Sequence, residues 1–220
     1  MRVLFLLAFL FSIDLLSQDI NVGLIGGLSL LNGDYPSVGT KDSFTILASP
    51  GFGAFLRRPL NEKWAIKGSV YFTRFKGDDR LIPRFVGVHT PSSINRANME
   101  LQLNAEYTAF RLPLSSNSDI SFYLQSGIVF SKTTVSDNDV NDECPIVNLG
   151  IPVGAGIRMP VKEKYSLFAQ FEYVQGLNDC FDGYVDPSKV KDVYYSLKLG
   201  ISTLLTPEVG NGKNIACPKF

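Results

Sequence analysis

Eight segments of this chain alternate apolar and polar residues at period two, and the connections between them are alternately short and long. The last is the clearest: Val193, Tyr195, Leu197, Leu199, Ile201, Thr203 and Leu205 interleave with Asp192, Tyr194, Ser196, Lys198, Gly200 and Ser202. Successive side chains of a strand point to opposite faces, so this pattern builds sheets with one apolar and one polar face. The stretch from Ala97 to Ala109 does the same, setting Met99, Leu101, Leu103 and Tyr107 against Glu100, Gln102, Asn104 and Glu106.

The strands are expected at Ile20 to Leu31, Phe44 to Leu56, Lys63 to Phe75, Arg96 to Leu112, Ile120 to Ser131, Val147 to Met159, Tyr165 to Val174 and Lys191 to Leu205. Connections at Asn61-Glu62, Pro113 to Asp119 and Lys162-Glu163 are tight, whereas those at Asn32 to Ser43, Lys76 to Asn95, Lys132 to Ile146 and Leu177 to Val190 are long and rich in Asp, Asn, Gly and Pro. An even number of antiparallel strands with short turns at one end and long loops at the other describes an all-β, eight-stranded up-and-down transmembrane β-barrel of the outer membrane, with both termini in the periplasm.

The start of the chain agrees with export. Arg2 precedes the apolar run Val3 to Phe11, and Leu16-Ser17-Gln18 offers a small residue for cleavage. Residues 1–17 therefore read as a signal peptide, 18–205 as the barrel and 206–220 as a periplasmic C-terminal tail. No later run approaches the roughly 20 apolar residues of a spanning helix.

An exported soluble barrel or sandwich, apolar face inward, is the rival. Three features favour the membrane. The segments reach the ten or so residues a tilted strand needs to cross a bilayer, whereas soluble strands centre near five or six. On the apolar face Trp64, Tyr107, Phe122 and Tyr165 lie towards the turns and Phe72, Phe130, Tyr173 and Tyr195 towards the loops, as two interfacial girdles require. Loop asymmetry is the third. With 21 Lys+Arg against 21 Asp+Glu, the net charge of zero gives no electrostatic case for nucleic acid, and outer-membrane lipid is the expected surrounding partner.

By parity the lumen receives Arg57, Lys67, Glu100, Glu106, Arg158, Glu172 and Lys198, together with Tyr71, Gln102, Tyr123, Gln125, Gln170 and Tyr194. Eight strands enclose a space just wide enough for side chains to fill. A paired polar plug is therefore expected rather than a conduction or proton path. Gly23, Gly27, Gly51, Gly53, Gly150, Gly154 and Gly156 share that parity and leave room for the long residues of strands four and seven. Pro50 and Pro152 each remove a ladder donor and are assigned to bulges.

Four fragments carry a resemblance: Gly33-Asp34-Tyr35 after the first strand, Gly77-Asp78-Asp79 after the third, Ile151-Pro152-Val153-Gly154-Ala155-Gly156 in the sixth, and Gly183-Tyr184-Val185-Asp186 in the last long loop. In their order and placement the chain resembles the PorG-type outer-membrane barrels of the Bacteroidetes type IX secretion system, over nearly the whole mature length. The resemblance implies a component connected to the periplasmic ring of lipoprotein and partner subunits that supports secretion, and it implies no catalytic residues. A stand-alone small barrel acting in adhesion or surface stability through its loops is the alternative.

No enzyme, cofactor or metal is expected. His89 is the sole His, and a Ser-His hydrolase would have to use it with Ser92 or Ser93 outside the membrane rim. Asp137, Asn138, Asp139, Asn141 and Asp142 suggest calcium, yet Asp142 stands where Gly is needed and Asn148 where the bidentate Glu belongs, so a solvated acidic loop is the better reading. The acidic loop of Asp179, Asp182 and Asp186 is weighed the same way. Exported thiols meet an oxidising compartment. If Met159 pairs with Tyr165 across the sixth turn, the same register sets Cys144 opposite Cys180, a candidate disulfide. Cys217 falls in the opposite compartment. The tail, ending Cys217-Pro218-Lys219-Phe220, is a candidate periplasmic docking peptide that would order on binding.

Overall fold

The alternation closes on itself. In the computed structural model, which describes residues 20–32, 48–78, 93–115, 118–134, 147–162, 164–178, 181 and 191–205, the strands are β1 (Ile20–Asn32), β2 (Ser49–Pro59), β3 (Trp64–Asp78), β4 (Ser93–Ser115), β5 (Ser118–Thr134), β6 (Asn148–Lys162), β7 (Tyr165–Gly176) and β8 (Val193–Leu205). Each pairs antiparallel with its neighbours in the chain, and β1 pairs β8 from Ile20↔Leu205 to Asn32↔Val193. A closed wall leaves no sheet edge around the circumference, which is what lets a sheet cross hydrocarbon.

Outside is apolar and inside is polar. Leu24, Phe52, Leu103, Leu124, Val153, Phe171 and Leu199 are all more than half exposed, while Lys67, Glu100, Glu106, Glu172 and Lys198 are buried. Only a lipid-facing wall accounts for that inversion. The aromatic girdles form as paired rings: Trp64 with Tyr107 at 5.0 Å on the turn side and Tyr173 with Tyr195 at 5.5 Å on the loop side.

A side chain locks the turn between β2 and β3. Asn61 Oδ1 accepts from the backbone N–H of Lys63 at 2.9 Å and of Trp64 at 2.8 Å, fixing the connection between β2 and β3. The hairpin of β4 and β5 is longer than expected and overhangs its neighbours at the turn end. Pairing of β3 with β4 stops at Trp64↔Tyr107, and pairing of β5 with β6 stops at Ser121↔Arg158. A bulge at Ala109 shifts the register there, since Thr108 pairs Tyr123 but Phe110 pairs Phe122. The bulge takes up one residue, so Phe110 and Leu112, each about half exposed, continue the apolar outward row of Tyr107.

Neither proline sits at a bulge, contrary to expectation. Pro50 precedes the first β2–β3 pair, Phe52↔Phe72, so its missing N–H falls where β2 has no β3 partner. Pro152 keeps its register with Val174, and the cost appears on its other side, where the β5–β6 ladder skips Gly127 and Ile128 without a shift. A second correction concerns β6 and β7: Met159 pairs with Leu167, not Tyr165, because a bulge follows Pro160. The register that set Cys144 opposite Cys180 therefore does not hold. Both cysteines lie outside the described residues, as do residues 1–17 and 206–220, including Cys217, Pro218, Lys219 and Phe220. His89 and the acidic residues of the long loops, Asp137, Asp179 and Asp182 among them, lie outside them too.

Candidate functional site

Seven of the charged side chains of the lumen meet as two clusters, while Arg96 and Asp192 are buried nearer the loop end. Towards the turn end, Glu106 Oε2 accepts from Arg57 Nε at 2.6 Å and Arg158 Nη2 at 3.0 Å, and Lys67 Nζ stands 3.4 Å from Oε1. One carboxylate on β4 thus ties together cations from β2, β3 and β6. Towards the loop end, Glu172 Oε1 accepts from Lys198 Nζ at 2.5 Å and from Gln102 Nε2 at 3.0 Å, while its Oε2 accepts from Gln125 Nε2 at 2.7 Å and Gln170 Nε2 at 3.1 Å. Lys67 bridges the clusters by donating to Gln125 at 3.1 Å and Gln170 at 2.7 Å. Glu100 accepts from Asn98 at 2.9 Å and Gln102 at 3.0 Å.

Aromatic faces supply what the carboxylates do not. Arg158 lies 4.7 Å from the Tyr123 ring centre, Lys198 4.6 Å from Tyr71, and Lys67 between Phe55 at 5.8 Å and Phe168 at 5.6 Å. Such contacts gain strength once water is excluded. Of the lumen glycines, Gly23, Gly51, Gly53 and Gly156 make room for rings rather than for the long residues of β4 and β7, while Gly154 lies against Gln125 and Gly150 against Val129 and Val174. A Cβ on Gly51 would sit 2.5 Å from the Tyr71 hydroxyl, and one on Gly156 would sit 2.5 Å from Tyr123 Cζ and 2.7 Å from the Ala169 carbonyl oxygen.

Gly156→Val is accordingly expected to lower stability by about 1–3 kcal/mol through overpacking. Gly68→Ala, at an outward position with nothing within 4 Å, should cost nothing measurable. Urea unfolding midpoints of the two reconstituted variants distinguish them, and equal midpoints would mean the rings do not fill the space described.

Above the polar network lies an apolar layer that alternation did not predict. Leu31, Phe75, Val129, Val174 and Tyr194 point inward at the loop end, and Phe181, from the connection between β7 and β8, is fully buried among them. Thr133 Oγ1 donates to the Phe181 carbonyl oxygen at 3.2 Å and fixes that connection to β5. The signal was in the sequence as doubled apolar residues, Leu30-Leu31, Val129-Phe130, Tyr173-Val174 and Tyr194-Tyr195, where period two gives way because both faces are covered.

Chemically, this arrangement neutralises and desolvates charge. Lys67, Glu100, Glu172 and Tyr194 are each no more than 1% exposed. The turn-side mouth differs, with Arg57 and Arg158 side chains both 14% exposed.

No protein-family model matches the chain, and no curated protein matches it significantly. Its fold does match solved structures. The outer membrane protein AlkL in lipid bilayers is 9% identical with a TM-score of 0.50, covering 88% of this chain and 93% of that one. The outer membrane protein OprG of Pseudomonas aeruginosa is 9% identical with a TM-score of 0.47, covering 87% and 97%. The attachment invasion locus protein Ail of Yersinia pestis, solved with a heparin analogue, is 13% identical with a TM-score of 0.46, covering 86% and 99%. At such identities the likeness is one of fold: this chain closes as an eight-stranded antiparallel β-barrel, the fold of the AlkL structure.

Proposed function

We propose that the protein is a non-enzymatic barrel component of the type IX secretion machinery, seated in the outer membrane with its turn side in the periplasm, where it links the periplasmic ring of lipoprotein and partner subunits to the membrane. The observation that carries the scaffold part of this reading is the filled and lidded lumen, which leaves the rims and loops to do the work. The secretion part is supported by the resemblance to PorG-type barrels. Two features of the turn rim suit docking: the β4–β5 overhang, and β8 ending there at Leu205 so that residues 206–220 continue from the same rim.

Affinity purification from detergent-solubilised outer membranes tests it. Ring subunits are expected with the full chain and in reduced amount with a variant lacking residues 211–220. An inserted, heat-modifiable barrel that brings down no ring subunit would overturn the reading and move the function to the long loops, as for a stand-alone adhesion or surface-stability barrel.

A further inference from the structure

On β3 and β5 the lipid-facing band ends in cations at the loop side. Outward residues of β3 run Trp64, Ile66, Gly68, Val70, Phe72 and then Arg74 and Lys76, and on β5 Phe130 is followed by Lys132. Arg74 and Lys132 are exposed and Lys76 half-buried. Among the described side chains none forms an ion pair with any of them. Pro50 of β2, Leu149 of β6 and Gln175 of β7 carry no charge, and Lys191, the exposed cation that precedes β8, lies across the barrel, so the cations of β3 and β5 form a cluster of their own.

The registry places a small residue at the centre of this cluster. Phe72, Met99 and Lys132 form one row across β3, β4 and β5, and Arg74, Ala97 and Thr134 form the next row towards the loops. Two strand spacings and one side-chain repeat put Arg74 and Lys132 roughly 10–12 Å apart at Cα, with Ala97 and Met99 on the strand between them. Beside Arg74 and Lys76 opens a groove of about 600 Å³ lined by these two cations with Phe52, Phe72, Met99 and Ala97, and Lys132 stands beyond its lining. Cationic above and apolar below, the groove has the polarity of an acylated headgroup standing in the membrane.

From these observations we infer that the loop-end face of β3–β5 binds a glycolipid carrying two phosphates, with its phosphates on Arg74, Lys76 and Lys132 and an acyl chain along Phe72 and Met99. A headgroup with a single phosphate would satisfy one end of so wide a cluster; two phosphates on a sugar base reach both. Charge-assisted hydrogen bonds from Arg and Lys to phosphate are the strong class, and the apolar groove adds area that a soluble anion would not use. This inference rests on the reading that the loop end lies in the outer leaflet.

Native mass spectrometry of the full chain in detergent tests it, with bis-phosphorylated lipid A as probe, its dephosphorylated form and phosphatidylglycerol as controls. Losing one or more charge-assisted contacts should weaken lipid A about tenfold or more in Arg74→Gln/Lys76→Gln/Lys132→Gln, and the dephosphorylated probe should bind the wild type equally weakly. The single Lys132→Gln variant should fall between, and heat-modifiable mobility shows that each variant is folded. Unchanged lipid A binding in the folded triple variant would overturn the site, and phosphatidylglycerol binding as tight as lipid A would overturn the two-phosphate assignment. Orientation is read separately, in a background lacking the native Cys, by impermeant labelling of intact cells: Thr134→Cys should label and Leu60→Cys should not. The reverse pattern would sink the outer-leaflet reading while leaving the affinities measured in detergent intact.

Discussion

Glu106→Leu should be the most damaging single substitution in the lumen, costing about 3–5 kcal/mol as expected when one partner of a buried ion pair is removed. The wild-type residue holds three cations, and Lys67 has no alternative carboxylate within ion-pair distance among the described residues. Arg57 and Arg158 can turn towards the open mouth, whereas Lys67, with its side chain 2% exposed, cannot. Removing that trapped charge as well, in Glu106→Leu/Lys67→Met, should therefore recover part of the loss. The comparison is made on urea unfolding midpoints of reconstituted protein, scored by heat-modifiable mobility. If the single variant unfolds at the wild-type midpoint, Glu106 is not the tie that the distances describe.

Leu199→Arg should follow closely, at about 2–4 kcal/mol for a cation near the middle of the lipid-facing band of a barrel. Leu199 is 57% exposed and pairs with Gly26 and Ala169, several residues from either girdle. Leu60→Arg is the matched control, since Leu60 is 53% exposed but lies in the turn between β2 and β3, where the guanidinium meets water or headgroups. Folded yield in outer membranes should drop sharply for the first and little for the second. Equal yields would mean that the apolar outer face is not in lipid.

The barrel was legible because a membrane wall obeys one rule along its whole length: apolar out, polar in, period two. Where that rule has a single cause, at Leu103, Glu106 or Lys198, parity alone places the residue correctly. It fails where a second cause enters. At Ala109 a bulge shifts the count by one, and only the aromatic pair Phe110 and Phe122, stacked at 4.4 Å, shows afterwards which parity the wall keeps. At the loop end Val129 and Val174 face an apolar lid instead of the polar network, so inward residues there are no longer polar. The register error between β6 and β7 has the same character: turn length sets pairing, and a bulge beside Pro160 is not announced by composition. The glycines were placed on the correct face, but their partners, the rings of Tyr71 and Tyr123, depend on distances across the barrel that periodicity does not contain.

The lumen network also constrains how such a chain can reach its final state. Its members come from β2 through β8, and Lys198, on the strand that closes against β1, contributes the cation that faces Glu172 and the ring of Tyr71. An open sheet lying in the bilayer would present these same charges to acyl chains. Until β8 meets β1 the network has no dry interior, and until the charges meet one another the interior has no tolerable contents. Crossing the membrane and plugging the lumen are for this sequence one event, so a late intermediate with an open seam belongs in a protected site, shielded from lipid, and has no stable place in the free bilayer.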